Sequence, residues 1–476
     1  MNHFKTMIVG EAPTAGQIEV TAPFDQSPIA TIETSDEEAV NVALESAYTL
    51  FRDRSQWLPI RQRIAILEKM IALMGDRAEL LAIEAAREGG KPLIDSRVEV
   101  ARAIDSLRIC VDCLRTEGGE TIPMGINAAS EGKMAFTTRE PIGVVVAVSA
   151  FNHPLNLISH QVGPAIAAGC PVIVKPAEST PLSCFRFVEI AREAGLPEAW
   201  CQAVVPLKRE VSTQLVSDSR VAFLSFIGSA RVGWMLRSKL TAGARCALEH
   251  GGAAPVIVAE DADLDELIPK LLKGGFYHAG QVCVSVQRVF IHHAIAREVA
   301  LRLAEGARSL VIGDPTQAET EIGPLIRPQE VERVQQWVDE AVTEGAELLA
   351  GGRTLSPSTF ECTVLYSPSA ESKVSRQEIF GPVICLYPYG QIEDAVTQAN
   401  ALPYAFQAAL FSTNIDTATY AYKNLDASAV MINDHTAFRV DWMPFAGLRQ
   451  SGLGVGGIPY TLRDMQIEKM MVLSVS

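Results

Sequence analysis

Cys283, within Ala279-Gly280-Gln281-Val282-Cys283-Val284, lies 34 residues beyond Glu249 of Leu248-Glu249-His250-Gly251-Gly252. A thiolate attacks carbonyl carbon, and a nearby carboxylate can then activate water against the acyl group that the sulfur holds. The pair therefore points to covalent catalysis on a carbonyl compound. Taken singly, Cys283 reads as a small structural thiol and Glu249 as a solvated turn residue before two glycines; only their conjunction with further motifs carries the chemistry.

Those motifs sit at the ends of apolar runs. Val172-Ile173-Val174-Lys175-Pro176-Ala177-Glu178 ends a strand in a cation and an acid three residues apart, groups that can hydrogen-bond a ribose. On spacing alone a surface Lys/Glu pair explains it as well. Phe226-Ile227-Gly228-Ser229 ends a second strand ahead of a helical tract, so that Gly228 permits close approach and the helix amides can meet a pyrophosphate. Phe151-Asn152-His153-Pro154 follows the Val144–Ala150 run and puts Asn152 at a carboxyl-end crevice, where its amide can donate to an oxyanion; the bland reading is a turn Asn before Pro. Gly452-Leu453-Gly454-Val455-Gly456-Gly457 satisfies GxGxxG, yet no clear strand leads into it and Pro459 follows, which marks it as a decoy.

The elements that must position these residues follow from periodicity. Ser35 with Glu38 forms a capping-box pattern, with a helix starting near Asp36 and an apolar stripe through Ala39, Val40, Ala43, Leu44, Ala47 and Leu50. Further helical tracts are predicted over 61–87 and 96–115, before Gly118-Gly119. From Ile142 onward, strand-type runs (144–148, 172–174, 204–205, 222–226, 255–258) alternate with helical tracts at 155–168 and 182–194, the pattern of two α/β domains joined near residue 250. Residues 119–139 read as an exposed hairpin and Met470–Val475 as a further strand. Both are edge liabilities that a second subunit would cover.

With 476 residues, 48% hydrophobic and 20% charged, the chain is long enough for two or three domains. A net charge of −15 offers no basic field for nucleic acid. No apolar stretch has the length of a membrane span, and the first residues lack a secretory signal, so a cytoplasmic protein is expected. Nine scattered cysteines are an odd number and do not form a disulfide framework. No metal is required.

The motifs around Asn152, Lys175, Gly228, Glu249 and Cys283, together with Glu378-Ile379-Phe380-Gly381-Pro382-Val383 and the late Pro444-Phe445-Ala446-Gly447 with Ser451-Gly452, resemble the aldehyde dehydrogenase superfamily in order and spacing over nearly the whole chain. The resemblance implies an α/β fold with a Rossmann-type cofactor domain (1–118 and 140–250), an α/β catalytic domain (251–450) and a small β oligomerisation element with the tail (119–139 and 451–476). It implies Cys283 as nucleophile, Glu249 as general base, and Asn152 with the Cys283 amide as oxyanion donors, with Lys175 also contributing. Lys175 and Glu178 would hold the adenosine ribose, Gly228 and Ser229 adjoin the pyrophosphate, and Glu378 and Phe380 position the nicotinamide half. Glu178 favours NAD over NADP, because a carboxylate repels a 2′-phosphate; NADP stays as the alternative. Homodimers or homotetramers are expected.

His250 stands where many members of the family have Leu, and His153 where Phe is frequent, which bears on substrate shape. Approximate alignment sets Arg102, His160 and Arg439 around the substrate entrance, so that a small aldehyde with an anionic tail fits: succinate semialdehyde or phosphonoacetaldehyde type. In the opposing reading Arg102 is solvated and Arg439 pairs with Asp441. A lactaldehyde-type enzyme for neutral aldehydes, a coenzyme A-acylating relative, a non-enzymatic binding protein on the same scaffold and a cysteine peptidase using His278 are the competing functions.

Overall fold

In the computed structural model, which describes residues 2–10 and 14–475, the run Val144–Val148 is an inner strand of a six-stranded sheet. The strand order is Gly452–Leu453, Arg245–Glu249, Val221–Ile227, Val144–Val148, Val172–Lys175, Cys201–Ala203. All neighbours run parallel except Gly452–Leu453, which is antiparallel to Arg245–Glu249. Numbered along the chain, the five parallel strands lie in the order 3-2-1-4-5, and the direction of winding reverses between Val144–Val148 and Val221–Ile227. Loops diverge there on opposite faces and leave a crevice at the carboxyl ends. Register makes those ends flush, since Val148 pairs with both Lys175 and Phe226. Val144 to Ala147 are fully buried because helices cover both faces, which explains an unbroken apolar run instead of an alternating one.

A second sheet of seven strands contains Ala254–Val258, Val286–His292, Val383–Tyr389, Thr363–Tyr366, Gln407–Phe411 and Ala429–Ile432 in parallel, with Glu347–Ala350 antiparallel at one edge. Lys133–Pro141 forms the expected hairpin with Thr121–Ile122 and also pairs with the tail strand Gln466–Ser474. Of the last 26 residues, then, Gly452–Leu453 joins the first sheet, and the helix Ile458–Asp464 separates it from the strand of the small antiparallel sheet. Among the described residues no helix is long and apolar enough to cross a membrane. All nine cysteines are free thiols.

Two local expectations are corrected. The helix Glu37–Arg52 is capped by Asp36, whose carboxylate accepts from Ala39 N–H at 2.9 Å, while the Ser35 hydroxyl accepts instead from Val205 N–H and ties the chain to the sheet. The tract read as one helix over 61–87 is two, Ile60–Asp76 and Ala78–Gly89, broken at Arg77. The third tract extends over Leu93–Thr116.

Two buried glutamates from these helices hold the starts of the helices that follow the site strands. Glu88 accepts from the N–H groups of Leu182 (2.7 Å) and Ser183 (2.8 Å), at the start of Leu182–Glu193. Glu99 accepts from Leu155 (2.9 Å) and Asn156 (3.0 Å), at the start of the entirely buried helix Asn156–Ala168. First-turn amides lack partners within their own helix, and here carboxylates from distant segments supply them. The other oxygen of Glu99 is paired with Lys91, and both side chains are sealed from solvent. Glu99→Ala strands a buried ammonium and two amides and is expected to destabilise the protein by about 3–5 kcal/mol, the usual cost of breaking a buried pair. A urea unfolding midpoint unchanged from the wild type would refute this.

Candidate active site

A cavity of about 430 Å³ opens at the strand-end crevice and is lined from both large sheets. Asn152, Gly228, Ser229, Glu249, Cys283, Glu378, Phe380, Arg102 and Arg439 all contribute to its wall. A second cavity of about 360 Å³, lined by Lys175 and Glu178, shares Val148 and Val232 with the first, so the two lie end to end over one strand terminus. Lys175 Nζ is 3.6 Å from Glu178. Ser229 is the N-cap of Ala230–Arg237 and makes no side-chain cap bond, leaving the first-turn amides of that helix available to an anion. A cation and an acid at one end with uncapped amides along the groove fit a dinucleotide with its ribose and pyrophosphate.

Cys283 sits between the turn Tyr277–Gly280 and the strand Val286–His292. His278 and Ala279 both adopt left-handed backbone (φ 50 and 53), a conformation L residues take only when their surroundings impose it. The surroundings here are hydrogen bonds. Asn152 Nδ2 donates to the Gln281 carbonyl at 2.9 Å, and the Gln281 side chain accepts from Ile326 N–H (2.9 Å) and donates to the Pro324 carbonyl (3.2 Å). Asn152 thus spends one amide hydrogen on fixing the loop, and its side chain also forms part of the cavity wall. Phe380, also left-handed at φ 49, meets Phe151 edge to face across the same crevice.

Glycines make room for the two carboxylates. A Cβ on Gly456 would lie 2.2 Å from Glu249 Oε1, and one on Gly251 would lie 1.6 Å from Glu378 Oε1. The glycine-rich stretch at 452–457 is therefore no phosphate loop: it brings backbone against Glu249, with Glu249 paired to Gly452 in the sheet. Glu378 accepts from Gly252 N–H at 3.1 Å, and burial pushes its carboxyl up to about 7. Burial also raises Glu249, opposed by Arg439, whose Nη1 stands 4.0 Å from Glu249 Oε2. The Cys283 thiol is pushed up to about 12, first by burial and further by Glu249 and Glu378, with Arg439 acting in the opposite sense.

The three residues expected at the substrate entrance are in one network, and Asp441 organises it. Arg102 grips Asp441 with two parallel hydrogen bonds (Nε to Oδ2 3.1 Å, Nη2 to Oδ1 2.5 Å). His160 Nε2 lies 2.8 Å from Asp441 Oδ1, and its Nδ1 lies 3.2 Å from Arg439 Nη2. The carboxylate requires a proton on Nε2, leaving Nδ1 to accept from the guanidinium; burial, helped by Arg439, holds the imidazole down at about 4 and hence neutral. His160 is buried behind Arg439 and is not among the residues lining the cavity. Asp441 is thus the partner of Arg102 and His160, whereas Arg439 stacks on Phe445 at 3.6 Å and keeps its Nε without a partner. His153 approaches Tyr277 Oη at 3.3 Å, and His250 Nδ1 donates to the Gln450 carbonyl at 2.9 Å.

The sequence pattern described as the Aldehyde dehydrogenase family matches residues 11–471. The chain belongs to this family. Among aldehyde dehydrogenases it is 37% identical over 463 residues to the 3-sulfolactaldehyde dehydrogenase of Priestia megaterium, covering 97% of this chain and 96% of that one. The crystal structure of aldehyde dehydrogenase 21 from Physcomitrella patens in complex with the reaction product succinate superposes with a TM-score of 0.94 at 33% identity, covering 100% of this chain and 99% of that one. The glyceraldehyde-3-phosphate dehydrogenase GapN of Methanocaldococcus jannaschii, complexed with NADP, superposes with a TM-score of 0.92 at 32% identity over 97% and 99% of the two chains. This aldehyde dehydrogenase is an NAD(P)-dependent oxidoreductase.

Because Cys283 is a thiol at neutral pH, its thiolate fraction rises about tenfold per pH unit well below its pKa. Inactivation of the cofactor-free enzyme by iodoacetamide is therefore expected to accelerate about tenfold per unit between pH 7 and 9, with the adduct mapped to Cys283. A rate flat over that range would show the thiolate to be already formed.

Proposed function

We propose that the enzyme oxidises a small aldehyde carrying an anionic tail to the carboxylic acid. The observation that carries this reading is the inequality between the two arginines of the cavity. Asp441 neutralises Arg102 in a two-point grip, while Arg439, which lines the cavity with Cys283, has no carboxylate in hydrogen-bond range. A carboxylate, sulfonate or phosphonate would complete that guanidinium. The sulfonate in the name of the Priestia relative's aldehyde and the succinate bound by the Physcomitrella enzyme support the same class.

In this reading Cys283 Sγ adds to the aldehyde carbon, and the free hydrogen of Asn152 Nδ2, with the Cys283 backbone amide, stabilises the oxyanion of the thiohemiacetal; one such donor is worth about 3–4 kcal/mol in other enzymes. The nicotinamide, when bound, supplies the hydride acceptor. Lys175 and Glu178 hold its adenosine ribose, Gly228 and Ser229 the pyrophosphate, and Glu378 with Phe380 the nicotinamide half. The thioester left on Cys283 is hydrolysed by water that Glu249 deprotonates, so that the product is the free acid and coenzyme A is not used. The helical and six-stranded part (1–118 and 140–250) serves the cofactor, 251–450 catalysis, and the antiparallel element with the tail assembly. The tail strand exposes Met470, Met471, Val472 and Leu473, an edge that a second copy in a cytoplasmic homodimer or homotetramer would cover.

Arg439→Ala is expected to lower kcat/KM for succinate semialdehyde roughly 10- to 100-fold, the worth of about 1.5–3 kcal/mol for a hydrogen bond to a charged group, and to change that for propanal less than about threefold. An unaltered ratio between the two aldehydes sinks the anionic-tail reading. Glu249→Gln is expected to give a single burst of reduced nicotinamide with turnover cut by at least about 100-fold, while the wild type yields the free acid at the same rate with and without coenzyme A; steady turnover in this variant would remove Glu249 from the mechanism.

A further inference from the structure

We propose that Arg439 couples the charge of the substrate to the strength of the hydrolytic base: its guanidinium faces Glu249 in this structure, and a substrate's anionic tail, by taking that guanidinium, leaves Glu249 a stronger base. The inference rests on the anionic-tail reading above and adds a second use of the same cation. Arg439 is the cation nearest the Glu249 carboxylate, at 4.0 Å, and the two side chains are only 10% and 16% exposed. In so sheltered a place a single charge is weakly screened.

The other groups around Glu249 cannot substitute for it. Gly456 contributes only backbone against Oε1. His250, next along the chain, turns its Nδ1 to the Gln450 carbonyl and stacks edge-on against Phe226 and Trp234. Glu378 is fixed on Gly252 N–H, and Cys283 is a thiol. Arg102 is already neutralised by Asp441. Arg439, for its part, is held by His160 at one nitrogen and by the Phe445 ring at its face, which leaves its remaining N–H groups to choose between the base and a tail.

Chemically, a cation about 4 Å away stabilises carboxylate and depresses its proton affinity. In hydrolysis Glu249 takes a proton from water as the water oxygen bonds to the acyl carbon; the C–S bond then breaks with its electron pair returning to Sγ, which takes up the proton held by Glu249, and the acid loses its own proton to solvent. Such a step gains from a more basic carboxylate. A neutral acyl group leaves Arg439 facing Glu249 and is released slowly; an acyl group with an anionic tail occupies Arg439 and is released fast. Arg439 then determines specificity twice, in binding and in deacylation.

The test follows the decay of acyl-Cys283 in the wild-type enzyme with NAD, by rapid mixing, acid quench and intact mass, for succinate semialdehyde and butanal across pH 5 to 9. The coupling requires the rising limb of the decay rate to lie about one pH unit higher for the succinyl than for the butyryl enzyme, with the plateau rate several-fold greater. In Arg439→Met the butyryl limb should move up to the succinyl position. Coincident wild-type limbs, with KM still favouring succinate semialdehyde, overturn the coupling and leave the anionic-tail reading standing. Coincident limbs with no preference in KM overturn both. The wild-type pair decides the matter even if the variant does not fold.

Discussion

Everything at the reactive centre hangs on one buried ion pair, Lys91 with Glu99. Glu99 uses its second oxygen on the amides of Leu155 and Asn156, which fixes where the buried helix begins. The loop just before that helix carries Asn152, and Asn152 in turn holds the Gln281 carbonyl, two residues from Cys283. A carboxylate on a helix of the first 120 residues is thereby connected through two hydrogen-bonded links to a sulfur in the other half of the chain. Buried charges of this kind are costly to desolvate and add little net stability over an apolar pair. What they supply here is placement, because the amides they bind belong to the segment that carries Asn152 to the Gln281 carbonyl.

The cavity above is arranged by unequal neutralisation. Three carboxylates and two guanidiniums lie in or beside it, and the pairing is not symmetric: Asp441 takes Arg102, Glu378 is held by a backbone amide, and Glu249 has only a longer approach to Arg439. His160 makes the asymmetry durable. With its proton committed to Asp441, it can only accept from Arg439, and so orients a cation that it does not neutralise.

Asn152, Lys175, Gly228 and Glu249 were legible as site candidates because each falls where a parallel strand ends, whereas Cys283 and Glu378 lie in loops ahead of strands and stood out by residue type and motif alone. Asn152, Gly228, Glu249, Cys283 and Glu378 come from segments up to 226 residues apart and line one cavity. His160 was legible as a neighbour of the site but not as a residue behind it, since helical spacing does not tell which face of an all-buried helix looks at the ligand. Glu88, Lys91 and Glu99 left no local signature, since a carboxylate that caps a helix 56 or 94 positions away lies outside any window of pattern reading, and Asp441 suggested itself only as a partner for its neighbour Arg439, whereas it pairs with Arg102. The break at Arg77 is marked only by Gly75 in the last turn before it, and Ser35 and Asp36 are adjacent residues that are equally good caps until the sheet claims one.

The short edge strand Gly452–Leu453 and the backbone at Gly456 come from the last 25 residues of the sequence, yet they form the wall behind the Glu249 carboxylate. A side chain as small as a methyl at position 456 would therefore collide with a carboxylate that precedes it by about 200 residues, which makes the geometry of Glu249 hostage to a remote stretch of bare backbone.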